Sequence, residues 1–186
     1  MKAVAEAPGK VILFGEHAVV YGRPAIAAAL DLTAEAYAEE SGTGVVEVSC
    51  PDLSVSGAYV GDIYRPIRGG PEGEQIVKPI AASVRHILKT KGVSSGVKVE
   101  VRSNIPPSSG LGSSAAVSVA AAAAAACAVG LDVEAGEVCE AAYVGERVVH
   151  GSPSGIDNTV STYGGILLFR AGGFRRIDVK VTPTIV

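Results

Sequence analysis

Apolar and polar residues along the chain recur in short stretches that read as separate elements. Residues 2–7 and 10–14 predict two short strands, parted by the turn signal Pro8-Gly9. An apolar run, Ala25–Leu30, leads to Leu32–Glu40, which reads as a strand despite its helix-favouring alanines and glutamates, and Val45–Ser49 reads as another. Residues 50–74 carry several prolines and glycines with little periodicity, so a loop region is expected, with Ser54–Val60 at most a weak edge strand. Ile76, Val77, Ile80, Ala81, Val84, Ile87 and Leu88 then recur at helical spacing, with Pro79 expected in the first turn, where a missing N–H costs nothing. Val97, Val99 and Val101 alternate with Lys98, Glu100 and Arg102, the pattern of a half-buried strand. Ala115–Val129 is small and apolar and reads as a helix packed closely inside the protein. Asp132 is placed to cap a helix over roughly residues 133–149, and Ser154 to cap another short one. Gly165–Arg170 and Phe174–Val179, joined by Gly172-Gly173, read as a hairpin. Strands first, then helices, then a closing hairpin predict an α+β fold in two layers.

Composition narrows the classes. A chain of 186 residues, 48% of them apolar, can bury a sizeable core in one domain. The net charge of −3 is mixed in sign and has no basic stripe, which argues against a nucleic-acid partner. The alanine-rich stretch is shorter than a membrane span, and Met1–Pro8 has a charge inside any would-be apolar region, so neither a membrane segment nor a signal peptide is expected. Cys50, Cys127 and Cys139 are odd in number and lack paired ligand spacing, so they read as reduced, mostly buried thiols of a cytoplasmic protein.

Candidate chemistry centres on Pro106-Pro-Ser-Ser-Gly-Leu-Gly-Ser-Ser-Ala-Ala116. This stretch leaves a strand, turns through prolines and glycines and enters a helix whose first N–H groups lack intrahelical partners, which makes a phosphate cradle. Ser113 and Ser114 can either cap that helix or ligate a metal held between phosphates. No Gly-Lys-Ser/Thr follows the glycines, so the loop is not a Walker A motif. A cation at Lys10, the pair Glu16-His17, and the acids Glu146 and Asp157 supply the other parts that phosphoryl transfer needs. Each has a plainer reading: an edge lysine, a loop histidine, a solvated helix face beside Arg147, and a carboxylate favouring a helix N-terminus.

Three motifs carry a resemblance: Ala7-Pro-Gly-Lys-Val-Ile-Leu-Phe-Gly-Glu-His-Ala-Val-Val-Tyr-Gly22, the loop at 106–116, and Gly145-Glu-Arg-Val-Val-His-Gly-Ser-Pro-Ser-Gly-Ile-Asp-Asn-Thr-Val-Ser-Thr-Tyr-Gly-Gly165. Together they resemble the mevalonate kinase branch of the GHMP kinase superfamily. The middle motif marks the superfamily, while His-Ala-Val-Val in the first and the whole of the third point to the mevalonate branch. The resemblance implies a GHMP kinase N-terminal domain over residues 1–186, with an unusually left-handed β-α-β unit, and a second, C-terminal domain absent from this chain. It implies phosphorylation of the primary hydroxyl of mevalonate by ATP to give 5-phosphomevalonate, a homodimer being compatible with it. Pro107, Ser108, Ser109, Gly110, Leu111, Gly112, Ser113 and Ser114 would wrap the ATP phosphates, and Ser114, with Ser113 as near alternative, would hold Mg²⁺ with Glu146. Asp157 would take or orient the hydroxyl proton, Lys10 would stabilise charge around it, and Glu16 and His17 would position mevalonate. The alternatives are a GHMP kinase for another small alcohol, such as phosphomevalonate, a sugar or an isoprenoid phosphate, and a non-catalytic nucleotide-binding domain. Turnover by residues 1–186 alone is expected to be small or nil, and an unusually apolar surface is expected where the second domain docks.

Overall fold

The computed structural model describes residues 1–171 and 173–179. Eight strands form one sheet: β1 (Lys2–Phe14), β2 (Ala25–Glu40), β3 (Val46–Cys50), β4 (Val55–Val60), β5 (Ile63–Arg68), β6 (Val97–Ser103), β7 (Ile166–Arg170) and β8 (Gly173–Arg176). Their order is β5-β4-β3-β6-β2-β7-β8, with β1 paired to β2. Neighbours are antiparallel except β3 and β6, which run parallel and are linked through β4, β5 and a helix. Among the described residues there are five α-helices, α1 (Glu16–Val19), α2 (Glu74–Thr90), α3 (Ser113–Ala128), α4 (Ala135–His150) and α5 (Ile156–Tyr163), and two short 3-10 turns, Pro51–Leu53 and Pro71–Gly73. None of the described helices is long and apolar enough to cross a membrane.

The alternating pattern explains the two layers. Ala34, Ala36 and Ala38 of β2, Val46 and Val48 of β3, and Val97, Val99 and Val101 of β6 are buried in one core with the apolar stripes of α2, α3 and α4. Intervening residues form a wet face, where Lys2 pairs with Glu39, Lys98 with Glu47 and Arg102 with Glu100. Exposed pairs of this kind stabilise little, and their role is to keep the open face soluble. Helix α3 is buried nearly all round, touching β1, β2, β6, α2, α4 and α5. Alanine suits that position because a larger side chain would hold six neighbours apart.

Several elements differ from their sequence reading. β1 is continuous, and Pro8-Gly9 marks a register shift within it: Pro8 pairs with Thr33 but Lys10 with Ala29, so Leu30, Asp31 and Leu32 of β2 face Gly9 alone. The expected loop at 50–74 is largely a hairpin, with β4 inside the sheet between β3 and β5. Its periodicity was hidden by Gly57, which lacks a side chain because the Tyr64 ring lies over it; a Cβ there would fall 2.3 Å from that ring. Helix α2 begins at Glu74, so Pro79 falls in the second turn and not the first, leaving the Gln75 carbonyl without its helical N–H. Helix α4 is capped by Glu134 and not Asp132: the Glu134 amide donates to Glu137 Oε2 at 3.0 Å and the Glu137 amide donates to the Glu134 carbonyl at 3.0 Å. Gly155 occupies the cap of α5, with the Ser154 hydroxyl accepting from the Ile156 amide at 3.4 Å. The closing hairpin is present as β7 and β8, although β8 ends at Arg176; Gly172 lies outside the described residues. Of the cysteines only Cys50 is buried, its thiol pushed up to about 11 chiefly by desolvation, whereas Cys127 is exposed and Cys139 half-buried.

Candidate active site

The Gly/Ser loop at 106–114 folds onto β1, which precedes it in sequence by 100 residues at the Lys10–Gly110 contact. Just past the register shift in β1 Lys10 pairs with Ala29, and its amide donates to the Leu111 carbonyl at 2.8 Å. The Lys10 side chain then runs along the loop, its stem lying over Gly112, where a Cβ would meet Lys10 Cγ at 2.8 Å. Its ammonium donates to the Gly110 carbonyl at 2.9 Å and lies 3.3 Å from Asp157 Oδ1. Lys10 is only 7% exposed. The exposed edge lysine of the plainer reading is therefore excluded, since a buried ammonium needs this pair and this carbonyl.

Beyond Gly112, helix α3 starts with its first-turn amides free. No side chain caps that end, so the Ser113 and Ser114 hydroxyls are not spent on it. Ser108 takes a left-handed backbone (φ 56) and the Ser109 hydroxyl closes the turn on the Pro106 carbonyl at 2.6 Å. Residues 106–110 are exposed and 111–114 half-buried, leaving the loop's outer surface open to a ligand.

The two acids arrive from different helices. Asp157 stands in the first turn of α5, next to Ile156, which is buried with Val19, Ala25, Ala27, Val160, Leu167 and Phe169 in a second, smaller core. That core fixes the start of α5 against β2 and β7 and so aims Asp157. Glu146, near the end of α4, is 3% exposed, and its Oε1 has no hydrogen-bond partner among the described residues. Desolvation pushes its carboxyl above the ordinary range; the Ser114 hydroxyl opposes this, Asp157 adds to it, and His150 and Lys10 pull it back down. Glu146 therefore stands within reach of Ser114, Asp157 and Lys10, the last two themselves paired. His150, which gave no sign of a partner in the sequence, lies 3.8 Å from Glu146 Oε2.

Glu16 and His17 sit on α1, exposed, with no hydrogen bond or ion pair among the described residues. The structure does not tie them to the Lys10–Asp157 cluster. Phe14, Val20 and Tyr21, exposed beside them, give this end of the molecule an apolar surface. A magnesium ion fits the oxygen donors present: the Ser114 hydroxyl and a buried carboxylate with an orphaned oxygen suit a hard cation that takes its other ligands from phosphate and water. Groups of three or more metal-ligating side chains do not occur among the described residues. Two partners escaped the sequence reading, the carbonyls of Gly110 and Leu111, because backbone acceptors leave no trace in residue type. Gly9 reads in sequence as half of a turn signal between two strands, and its place inside one continuous strand, where a glycine marks close backbone approach, emerges only from the pairing.

Comparison with known proteins bears on this arrangement. The sequence model of the GHMP kinases N terminal domain matches residues 76–165. The mevalonate kinase of Thermococcus onnurineus is 39% identical over 192 residues, covering 100% of this chain and 57% of that protein. Among solved structures, the Methanococcus jannaschii mevalonate kinase superposes with a TM-score of 0.79 at 29% identity, over 97% of this chain and 57% of that one. The L. major mevalonate kinase, solved in complex with R-mevalonate, gives a TM-score of 0.68 at 32% identity, over 95% and 52%. The chain thus spans little more than half the length of the relatives it matches.

Proposed function

We propose, from the premise that this chain carries a GHMP kinase N-terminal domain, that it serves a kinase transferring the γ-phosphoryl group of ATP to the primary hydroxyl of mevalonate. The observation that carries the reading is the Lys10 ammonium, held between the Gly110 carbonyl of the phosphate loop and the Asp157 carboxylate. Phosphoryl transfer is mostly positioning and electrostatics, and this geometry supplies both.

In this reading residues 107–114, with the first-turn amides of α3, hold the ATP phosphates. Asp157 orients the mevalonate hydroxyl and takes its proton as that oxygen bonds to the γ-phosphorus and the bond to the bridging oxygen of ADP breaks. Lys10 offsets charge that develops on the transferred group and holds the Asp157 carboxylate in place. Mg²⁺, when bound by Ser114 and Glu146, would neutralise charge on the β- and γ-phosphate oxygens. Glu16 and His17 position mevalonate from α1. Residues 1–186 act as the ATP- and substrate-binding domain, and the apolar surface around Phe14, Val20 and Tyr21 is where a second domain, accounting for the relatives' further length, docks. The setting is cytoplasmic, where ATP is supplied and thiols stay reduced.

What supports mevalonate over other alcohols is the level of identity, 39% and 38% to two mevalonate kinases over the whole of this chain. A coupled ADP-release assay on the protein carrying this chain, with mevalonate, phosphomevalonate, galactose and homoserine as acceptors, tests the reading. Turnover with mevalonate at least tenfold above the others is expected. Equal or greater turnover with another acceptor, or none with any, would overturn it.

A further inference from the structure

We propose that Gly9 is a positioning residue for the phosphoryl-transfer reaction: by clearing space for the Leu111 carbonyl, it lets the phosphate loop be pinned to the strand that carries Lys10. This deepens the reading above and rests on it. A Cβ on Gly9 would lie 2.9 Å from the Leu111 carbonyl oxygen and 3.2 Å from Ile105 Cδ1. The first contact is with backbone and can be relieved only by moving the loop.

Three observations converge here. The register shift leaves Gly9 without a single partner on β2, three residues lying opposite it, while Lys10 resumes the ladder against Ala29. The Lys10 amide donates to Leu111 at 2.8 Å, and one residue away in the loop its ammonium donates to Gly110 at 2.9 Å. Lys10 therefore clasps the loop by main chain and side chain together, and the clasp closes only where residue 9 has no side chain. Gly9 does not have a positive φ. Alanine can take its backbone conformation, so the substitution acts through space alone, pushing the loop from Lys10 by a few tenths of an ångström.

The effect falls on ATP more than on mevalonate. Displaced loop amides no longer meet the phosphates in register, while Asp157, held by the second core around Ile156, stays in place. A misplacement of about 1 Å can cost on the order of 10²-fold, so a smaller shift should cost about tenfold. Gly9→Ala is expected to raise KM for ATP about tenfold with KM for mevalonate within twofold of wild type. Ile105→Val, which removes only Cδ1, is made alone and combined with Gly9→Ala; the combined variant should keep the ATP defect, because the Leu111 contact remains.

The experiment is steady-state kinetics on the full protein carrying this chain, with both substrates varied, beside a thermal melt. If wild type does not phosphorylate mevalonate, the proposed function fails before Gly9 is tested. If wild type is active and Gly9→Ala leaves KM for ATP within twofold, the inference about Gly9 fails alone. A loss of kcat with both KM values unchanged would mark a merely structural role and also overturn it, as would rescue by Ile105→Val. Should Gly9→Ala not fold, amide exchange of wild type decides: ATP should slow exchange at the Lys10 amide at least threefold, and unchanged exchange would refute the clasp.

Discussion

Replacing Lys10 by methionine removes the ammonium and keeps a stem of similar length over Gly112. Two interactions disappear, the 2.9 Å hydrogen bond to the Gly110 carbonyl and the 3.3 Å pairing with Asp157. At an effective dielectric of about 20, unit charges at that separation attract by about 5 kcal/mol. The Asp157 side chain is 32% exposed, so water screens the pair, and roughly half that attraction remains. At about 1.4 kcal/mol per tenfold, kcat should fall on the order of 10²-fold. Asp157→Asn should lower it by about 10²–10⁴, the span of a positioned acid or base. Because the two groups act as a unit, the double variant should be only a few-fold slower than the worse single one. Single-turnover and steady-state ADP release on all four proteins give the cycle, with circular dichroism melts to show that each is folded. A Lys10→Met enzyme within threefold of wild type, or losses that simply multiply, would refute the idea that the pair works together.

Glu146→Gln removes a carboxylate whose pKa burial holds above the ordinary 4.5. Between that value and the raised one the folded state binds more protons than the unfolded state, so wild-type stability falls as pH rises through the window. The advantage of the glutamine variant over wild type should therefore grow from pH 4 to pH 7.5 in metal-free urea titrations; a shrinking advantage contradicts the assignment. Ser114→Ala should raise the Mg²⁺ concentration for half-maximal activity about tenfold, the lower end expected for loss of one supporting oxygen, and an unchanged requirement removes Ser114 from the metal. Gly145→Ala would put a Cβ 2.2 Å from Ser83 Oγ and 2.7 Å from the Pro79 carbonyl, where α4 crosses α2. Overpacking there should cost about 1–3 kcal/mol in urea denaturation, with Ser83→Ala recovering only part because the carbonyl remains.

Much of this molecule was legible in residue order because its signals are local. Alternating valines at 97, 99 and 101 put one face of β6 inward, and a run of alanines leaving a Gly/Ser loop reads as a helix, here one whose start has no side-chain cap. The motifs likewise singled out Lys10, Glu146 and Asp157, of which Lys10 and Asp157 lie 3.3 Å apart and Glu146 is buried. What the sequence could not contain were facts made by distant segments meeting. Tyr64 decides that Gly57 belongs to a buried strand and not a loop, and β2 decides that Pro8-Gly9 is a shift in register and not a turn. The pairing of Lys10 with Asp157 spans most of the chain, and its other partner is a carbonyl that every residue type possesses. Side-chain identity fixes which chemistry is available, while only packing fixes which backbone groups face it and how close two opposite charges come to rest.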